Sequence, residues 1–127
     1  MTTTDFDWAR STNAQRAAAS KDKEEIAALN QMSLSREVLD TANEIIHGER
    51  AQSYGPAEDS FARIAEFWTT HLSNKLPEGV SVDAYDVAIM MTLMKCARAQ
   101  TDIKQDTFVD IAGYAALAPR CAAKAKR

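Results

Sequence analysis

Apolar residues along this chain recur with helical spacing in four segments, and no segment shows the strict alternation of a half-buried β-strand. Ser35 suits an N-cap for the first segment, while Gly48 and Pro119 suit helix ends. The predicted helices cover residues 35–47, 57–74, 83–100 and 107–118. The predicted fold class is therefore all-α, with four helices arranged in a bundle.

Each predicted helix carries one apolar stripe, and the stripes together define an expected core. The helix over residues 83–100 is the most apolar and is expected at the centre of the bundle. With Asp86 as the reference direction and about 100° per residue, Met90, Leu93 and Met94 fall on the same side of this helix. The expected core contains Val38, Leu39, Ile45, Phe61, Ile64, Trp68, Val87, Met90, Leu93, Ile111 and Leu117.

The N-terminal region is less well specified than the rest of the chain. Residues 1–32 are predicted to form an arm that is partly helical or disordered, and residues 33–127 to form the bundle domain. Residues 16–31 favour helix by propensity, but their large aliphatic residues are limited to Ile26 and Leu29. Phe6 and Trp8 either dock on a neighbouring subunit or pack locally, and the sequence leaves both interpretations open.

Composition narrows the functional classes. A chain of 127 residues with 46% apolar residues and only 4 Gly and 3 Pro suits one helical globular domain. A net charge of -3 implies no general affinity for nucleic acid. Cys96 and Cys121 lack metal-ligand spacing and indicate reduced thiols, which predicts a cytoplasmic protein. No signal peptide or membrane span is expected, since the most apolar run, residues 87–94, falls short of the ~20 residues that a span requires.

Carboxylates interrupt the apolar stripes of the last two predicted helices. Asp86 lies within one stripe, with Asp83 one turn before it. Asp110 shares the other stripe with Tyr114, and Asp106 precedes Asp110 by about one turn. If both stripes enter one core, three or four carboxylates meet at one end of it. Mg²⁺ or Mn²⁺ would offset their repulsion, because hard divalent cations prefer oxygen ligands.

Helix capping is the alternative explanation for the same acids. Asp83 could be an N-cap with Asp86 at the third helical position, and Asp106 could cap the last helix. Glu58, in the first turn of the second predicted helix, suits the helix dipole and is a second-rank candidate for the carboxylate cluster.

Cations and aromatic residues provide a second set of candidates. Arg50 and Tyr54 lie in a predicted loop over residues 48–56, where they could bind a phosphate and stack on a base. The alternative is a packed tyrosine beside an arginine paired with a surface acid. Arg98 could reach an acid of a neighbouring helix or a ligand phosphate. Lys95 points away from Asp86 and reads most simply as a surface residue.

Residues 38–117 resemble a known family. The stretches GERAQSYGPAEDSFARIAEFW, DVAIMMTLMKCAR and DTFVDIAGYAAL look like a family of small helical proteins common in phage genomes. That family is itself similar to the MazG-like all-α nucleoside triphosphate pyrophosphohydrolases. In those enzymes, acids in an ExxE and then an ExxD pattern bind Mg²⁺. Asp83 and Asp86 occupy the place of the first pair and Asp110 that of the last acid, although Thr107 stands where the third acid is usual.

The resemblance implies a Mg²⁺-dependent hydrolase that releases pyrophosphate and a nucleoside monophosphate. Asp86 and Asp110 would act in catalysis together with Lys95, and the metal would be held by Asp83, Asp86, Asp110, Glu58 and Asp106. A nucleotide would be bound by Arg50, Tyr54, Arg98 and Tyr114. The alternative is a non-catalytic protein that sequesters a signalling nucleotide, which a basic pocket without converging acids would favour. Either protein is expected to form a homodimer or homotetramer in the cytoplasm of a phage-infected host.

Overall fold

The structure is a computed structural model that describes residues 12–125, and that part of the chain contains five helices and no strand. The all-α prediction is therefore confirmed. The helices are α1 (Asn13–His47), α2 (Glu49–Tyr54), α3 (Ala57–His71), α4 (Ala84–Ala99) and α5 (Gln105–Lys124). None of these helices is long and apolar enough to cross a bilayer.

The chain divides into two units, Met1–Arg36 and Glu37–Arg127, and the division falls within α1. The sequence predicted a separate helix starting near Ser35, but the helix already begins at Asn13. Residues of high helix propensity, such as Ala, Glu, Lys and Gln, fill the segment before Ser35 and continue the helix without a break. Ile26 and Leu29 are exposed, so the described part of the first unit contributes little apolar burial.

In the second unit, α4 and α5 form an antiparallel helical hairpin. Ala84 clusters with Cys121 near the start of α4, whereas Lys95, late in α4, bonds to Asp110 early in α5. The short connection over residues 100–104 favours this arrangement. The cluster also contains Ala88 and Ala118, and these small side chains let the two helices approach closely.

Helix α3 covers the hairpin with one face. Phe61 and Ala62 pack against the cluster between α4 and α5, and Ala65 is buried. The Thr69 hydroxyl donates to the Val82 carbonyl at 3.3 Å and accepts from the Val82 N–H at 2.9 Å. These two bonds hold the chain just before α4 begins. Trp68, an expected core residue, is half-buried.

The buried side of α4 differs from the prediction. Ala84, Val87 and Ala88 face the core, and Val87 is 0% exposed. Met90 and Leu93, which were expected in the core, are 42% and 60% exposed in the single chain. The predicted stripe through Met90 and Leu93 is therefore wrong, whereas the expected core position of Val87 is confirmed. Its small residues face α5, because alanine permits the close approach that larger side chains prevent.

One further core residue and one helix end were misjudged from the sequence. Leu39 of α1 was expected in the core but is 63% exposed. Pro119 was expected to end the last helix, yet α5 continues to Lys124. Proline removes one backbone donor, but the helix beyond it is held by the buried Cys121 and by ion pairs to α3.

Burial raises the pKa of the Cys121 thiol above its usual value, and the nearby Glu58 carboxylate adds to this.

Candidate functional site

A pocket of 390 Å³ lies within the second unit. Its walls come from the end of α1, from α2, from the start of α3 and from one face of α5. The lining residues are Ala42, Ile45, Ile46, Arg50, Ala51, Tyr54, Gly55, Ala57, Ser60, Phe61, Val109, Asp110, Gly113, Tyr114 and Leu117. The exposed Ile45, expected in the core, thus lines this pocket instead.

The turn between α1 and α2 places a cation and an aromatic ring at the pocket. The sequence predicted a loop over residues 48–56, but residues Glu49–Tyr54 form a short helix. A Cβ atom at Gly48 would lie 2.5 Å from the Glu44 carbonyl oxygen, so glycine is required for this turn. Arg50 and Tyr54 lie one helical turn apart on α2, and both line the pocket. Among the described residues, Arg50 forms no salt bridge.

The opposite wall contains one carboxylate that is held by a lysine. The Lys95 Nζ lies 2.8 Å from the Asp110 Oδ2, and these side chains are 16% and 38% exposed. The sequence indicated a surface position for Lys95, and that interpretation is wrong. Lys95 lies two turns after the buried Ala88, on the side of α4 that faces α5. The ion pair therefore belongs to the contact between α4 and α5 and borders the pocket.

An aromatic wall lies next to this carboxylate. Tyr114 follows Asp110 by one turn of α5, so the two side chains are neighbours on one face. The Phe61 and Tyr114 rings lie 6.1 Å apart between centroids and are tilted by 40°. This spacing is typical of aromatic pairs, which orient each other's rings. The pocket thus combines a guanidinium, two tyrosines and a carboxylate.

The other predicted acids have partners of their own. Asp83 is the N-cap of α4: its Oδ1 accepts from the Asp86 N–H at 2.9 Å, while the Asp86 Oδ2 accepts from the Asp83 N–H at 3.0 Å. These reciprocal bonds form a capping box. Capping, one of the two interpretations left open by the sequence, is therefore what the structure shows for both residues.

Glu58 and its neighbour Asp59 tie the start of α3 to the end of α5. The Arg120 guanidinium donates to the Glu58 Oε2 at 2.8 Å, and the Lys124 Nζ lies 2.7 Å from the Asp59 Oδ1. The Lys124 hydrogen bond lowers the pKa of the Asp59 carboxyl below its usual value. The same bond raises the pKa of Lys124. Glu58 thus acts as a helix–helix contact in this structure.

The five carboxylates proposed as metal ligands do not converge. Within residues 12–125, no group of three or more His, Cys, Asp or Glu side chains could hold a metal ion. Asp86 lies nine residues before Lys95, or about 13 Å along α4, and Lys95 is the residue that meets Asp110. Asp86 and Asp110 therefore lie at different positions along the axis of the hairpin. The residues present do not fit a Mg²⁺ centre built from several carboxylates.

Asp106 and Arg98 lie outside the pocket. Asp106 is exposed in the first turn of α5, where the N-cap is Lys104 without a side-chain capping bond. Arg98 is exposed near the end of α4. Of the predicted site residues, the structure brings together Arg50, Tyr54, Asp110 and Tyr114, with Lys95 attached to Asp110. Phe61 and Ser60 could not be recognised as pocket residues from the sequence, because both fit an ordinary helix face.

Replacing Asp83 by alanine tests the capping role directly. We expect a loss of ~1 kcal/mol in the free energy of unfolding, which is the usual effect of removing an N-cap. The loss should be the same with and without Mg²⁺, and Asp83→Ser should restore most of it. Urea denaturation provides the measurement, with Asp106→Ala as a control that leaves stability nearly unchanged. A Mg²⁺-induced rise in stability that disappears only in Asp83→Ala would contradict the capping role.

The described residues of the second unit are all-helical and contain an open pocket lined by aromatic and charged groups. Residues 37–122 match the family described as "Domain of unknown function (DUF6378)", and the chain belongs to this family. The match begins at the first residue of the second unit, Glu37–Arg127.

Relatives are found among phage proteins, which confirms the phage part of the predicted resemblance. The chain is 48% identical over 79 residues to the Gene 55 protein of Mycobacterium phage L5, covering 61% of this chain and 47% of that protein. It is 36% identical over 88 residues to the Gene 55 protein of Mycobacterium phage D29, covering 68% and 54%. The chain thus spans about half the length of these relatives. No solved structure gives a significant match, and neither the family nor these relatives provide a link to the MazG-like enzymes.

Proposed function

We propose that this protein binds a nucleotide in the pocket of its second unit and sequesters it without hydrolysis. The observation that carries the proposal is the joint presence of Arg50, Tyr54 and Tyr114 around one pocket. An arginine offers a fork of donors that matches phosphate oxygens, and tyrosine rings offer faces for a base. As a relative of phage proteins, it would act in the cytoplasm of an infected host by withdrawing a signalling nucleotide.

The size and electrostatics of the pocket support a small, partly anionic ligand. Its volume of 390 Å³ lies toward the lower end of the roughly 300–1,000 Å³ that small-molecule pockets span. Lys95 compensates the charge of Asp110, whereas Arg50 is exposed and forms no ion pair among the described residues. The guanidinium is therefore available to an anionic group at the mouth of the pocket.

Hydrolysis is the second candidate, and one observation favours it. Asp110 places a carboxylate in the pocket, and Mg²⁺ bound to a nucleotide often takes just one or two protein carboxylates. The separation of Asp83, Asp86 and Glu58 from Asp110 argues for binding without catalysis. Both candidates require the same pocket, so one experiment distinguishes them.

The experiment compares wild-type protein with Arg50→Ala. Isothermal titration calorimetry with a panel of nucleoside mono-, di- and triphosphates should detect binding by the wild type. Arg50→Ala should weaken that binding by about 10–100-fold, because a charged hydrogen bond contributes roughly 1.5–3 kcal/mol. Arg98→Ala is the matched control, since Arg98 is exposed and outside the pocket.

Each outcome of this experiment has a defined meaning. Binding with no pyrophosphate release in the presence of Mg²⁺ supports sequestration. Mg²⁺-dependent pyrophosphate release supports the hydrolase. Absence of binding by any member of the panel, or equal losses in Arg50→Ala and Arg98→Ala, would overturn the assignment of the pocket.

We also propose that the protein assembles into a homodimer or homotetramer through the exposed stripe of α4. Met90 and Leu93 lie one turn apart on this stripe, and their exposure leaves apolar area that a second copy could cover. Leu93→Glu should therefore convert the oligomer to a monomer, since an unpaired charge would enter the interface. Sedimentation equilibrium measures the mass, with Cys96→Ser as a neighbouring control. A wild-type monomer at micromolar concentration contradicts this assembly.

A further inference from the structure

We infer that the pocket selects a guanine base, and that Asp110 is the residue that reads it. This inference rests on the proposed function, because it names the class of nucleotide that the pocket would take. It begins from the position of one carboxylate beside one aromatic ring on α5.

Asp110 and Tyr114 are one helical turn apart and line the same pocket. Side chains at this spacing have Cβ atoms about 5–6 Å apart. A base that stacks on the Tyr114 ring therefore has its edge within reach of the Asp110 carboxylate. Phe61 supports the Tyr114 ring from α3 at a centroid distance of 6.1 Å, which restricts where that ring can present its face.

The carboxylate is held in place and still has capacity to accept. Lys95 bonds to Oδ2 at 2.8 Å, and within the described residues Asp110 has no second polar partner. An ionised carboxylate accepts hydrogen bonds and donates none. It therefore requires donors from the ligand, and a base that presents carbonyl or ring-nitrogen acceptors at that edge is disfavoured.

Guanine matches this requirement better than the other common bases. Its N1–H and 2-amino groups are adjacent parallel donors that fit the two oxygens of a carboxylate. Adenine and cytosine each place an acceptor nitrogen beside their amino group, and uracil flanks its N–H with two carbonyls. Arg50, on the α2 wall, remains for the phosphate. The inferred ligand is a guanosine mononucleotide.

Calorimetric titration of the wild-type full chain with guanosine, deoxyguanosine, inosine, adenosine and xanthosine monophosphates tests this inference. Guanosine monophosphate should bind about 10–100-fold more tightly than adenosine monophosphate, because adenine lacks the paired donors and a hydrogen bond to a charged group strengthens binding by about tenfold or more. Inosine monophosphate, which keeps N1–H but lacks the 2-amino group, should fall between them. Deoxyguanosine monophosphate should bind like the ribonucleotide, since Asp110 contacts the base.

Asp110→Asn should change the preference from guanosine to xanthosine monophosphate. The amide offers one acceptor and one donor, which match the N1–H and C2 carbonyl of xanthine. In Asp110→Asn, Lys95 loses its ion-pair partner, which could impair folding. The double variant Lys95→Met/Asp110→Asn removes that lysine, so the change in base preference can still be measured. Equal binding of all bases, an adenine preference, or a loss confined to deoxyguanosine monophosphate would overturn the inference and leave nucleotide binding intact. If no nucleotide binds, the proposed function itself fails.

Discussion

Replacing Leu117 by alanine is expected to destabilise the protein by about 2–5 kcal/mol, the range for truncating a buried leucine. Leu117 is 5% exposed and lies where α5 forms the inner wall of the pocket. The truncation would remove apolar contacts and leave a cavity that joins the pocket. Urea denaturation at constant protein concentration provides the measurement, with the slope compared between variants.

Leu39→Ala is the matched control for this truncation. It makes the same chemical change at a leucine that is 63% exposed and belongs to the same unit. We expect its effect to stay within about 0.5 kcal/mol, as for most surface substitutions. If both variants lose the same stability, then Leu117 is not a core residue and the placement of α5 is incorrect.

Breaking the ion pair between Lys95 and Asp110 is the second large effect. Asp110→Ala should cost about 1–3 kcal/mol, less than a fully buried pair because Asp110 is 38% exposed. Lys95→Met should cost less than Asp110→Ala. It leaves behind the more exposed partner, which water can solvate, whereas Asp110→Ala leaves an ammonium that is 16% exposed.

The double variant Lys95→Met/Asp110→Ala isolates the interaction. We expect it to be more stable than the sum of the two single effects predicts, because neither charge is left alone. Thermal or urea unfolding of the four proteins gives the coupling free energy. The exposed pair Lys104 and Asp102, with Nζ and Oδ2 3.1 Å apart, serves as a control whose coupling should be near zero. A coupling no larger than that of the control would contradict a structural role for Lys95.

The helical segments and part of the pocket could be predicted from the sequence, because apolar spacing and turn residues are local signals. Arg50 and Tyr54 were recognised as a cation and an aromatic beside Gly55-Pro56. Their helix, α2, was missed because a six-residue helix contributes little periodic pattern. Asp110 and Tyr114 were correctly placed on one face, since residues four apart always share a face of a helix.

The orientation of α4 could not be predicted because this helix offers two apolar stripes. One contains Met90 and Leu93, and the other contains Ala84, Val87 and Ala88. Transfer free energy favours burying the first, since its side chains are larger. The small residues of α4 face the core because α5 packs there with small residues of its own. This contact cannot be recognised from the sequence of α4 alone. The role of Lys95 was hidden for the same reason, since its partner lies across the hairpin.

The roles of the acidic residues could not be predicted for a different reason: one local sequence pattern had two physical explanations. Asp83 and Asp86 have the spacing of a capping box and also that of a pair of metal ligands. A metal site would also require Glu58 and Asp110 to lie close to them, whereas a capping box would not. Arg120 holds Glu58, and Lys95 holds Asp110 at another height of the hairpin. Ion pairs between residues distant in the sequence thus hold apart the acids that were predicted to form one cluster.

Small side chains at the contact between α4 and α5 provide few ridges that would stop one helix from sliding along the other. Ala84, Ala88 and Ala118 would make similar contacts if the alignment shifted by one helical turn. The salt bridge between Lys95 and Asp110 does not tolerate such a shift, because a displacement of about 5.4 Å separates the two charges. Together with the ion pairs from α3 to Arg120 and Lys124, it favours a single register for the hairpin, and that register sets where Tyr114 stands relative to Phe61.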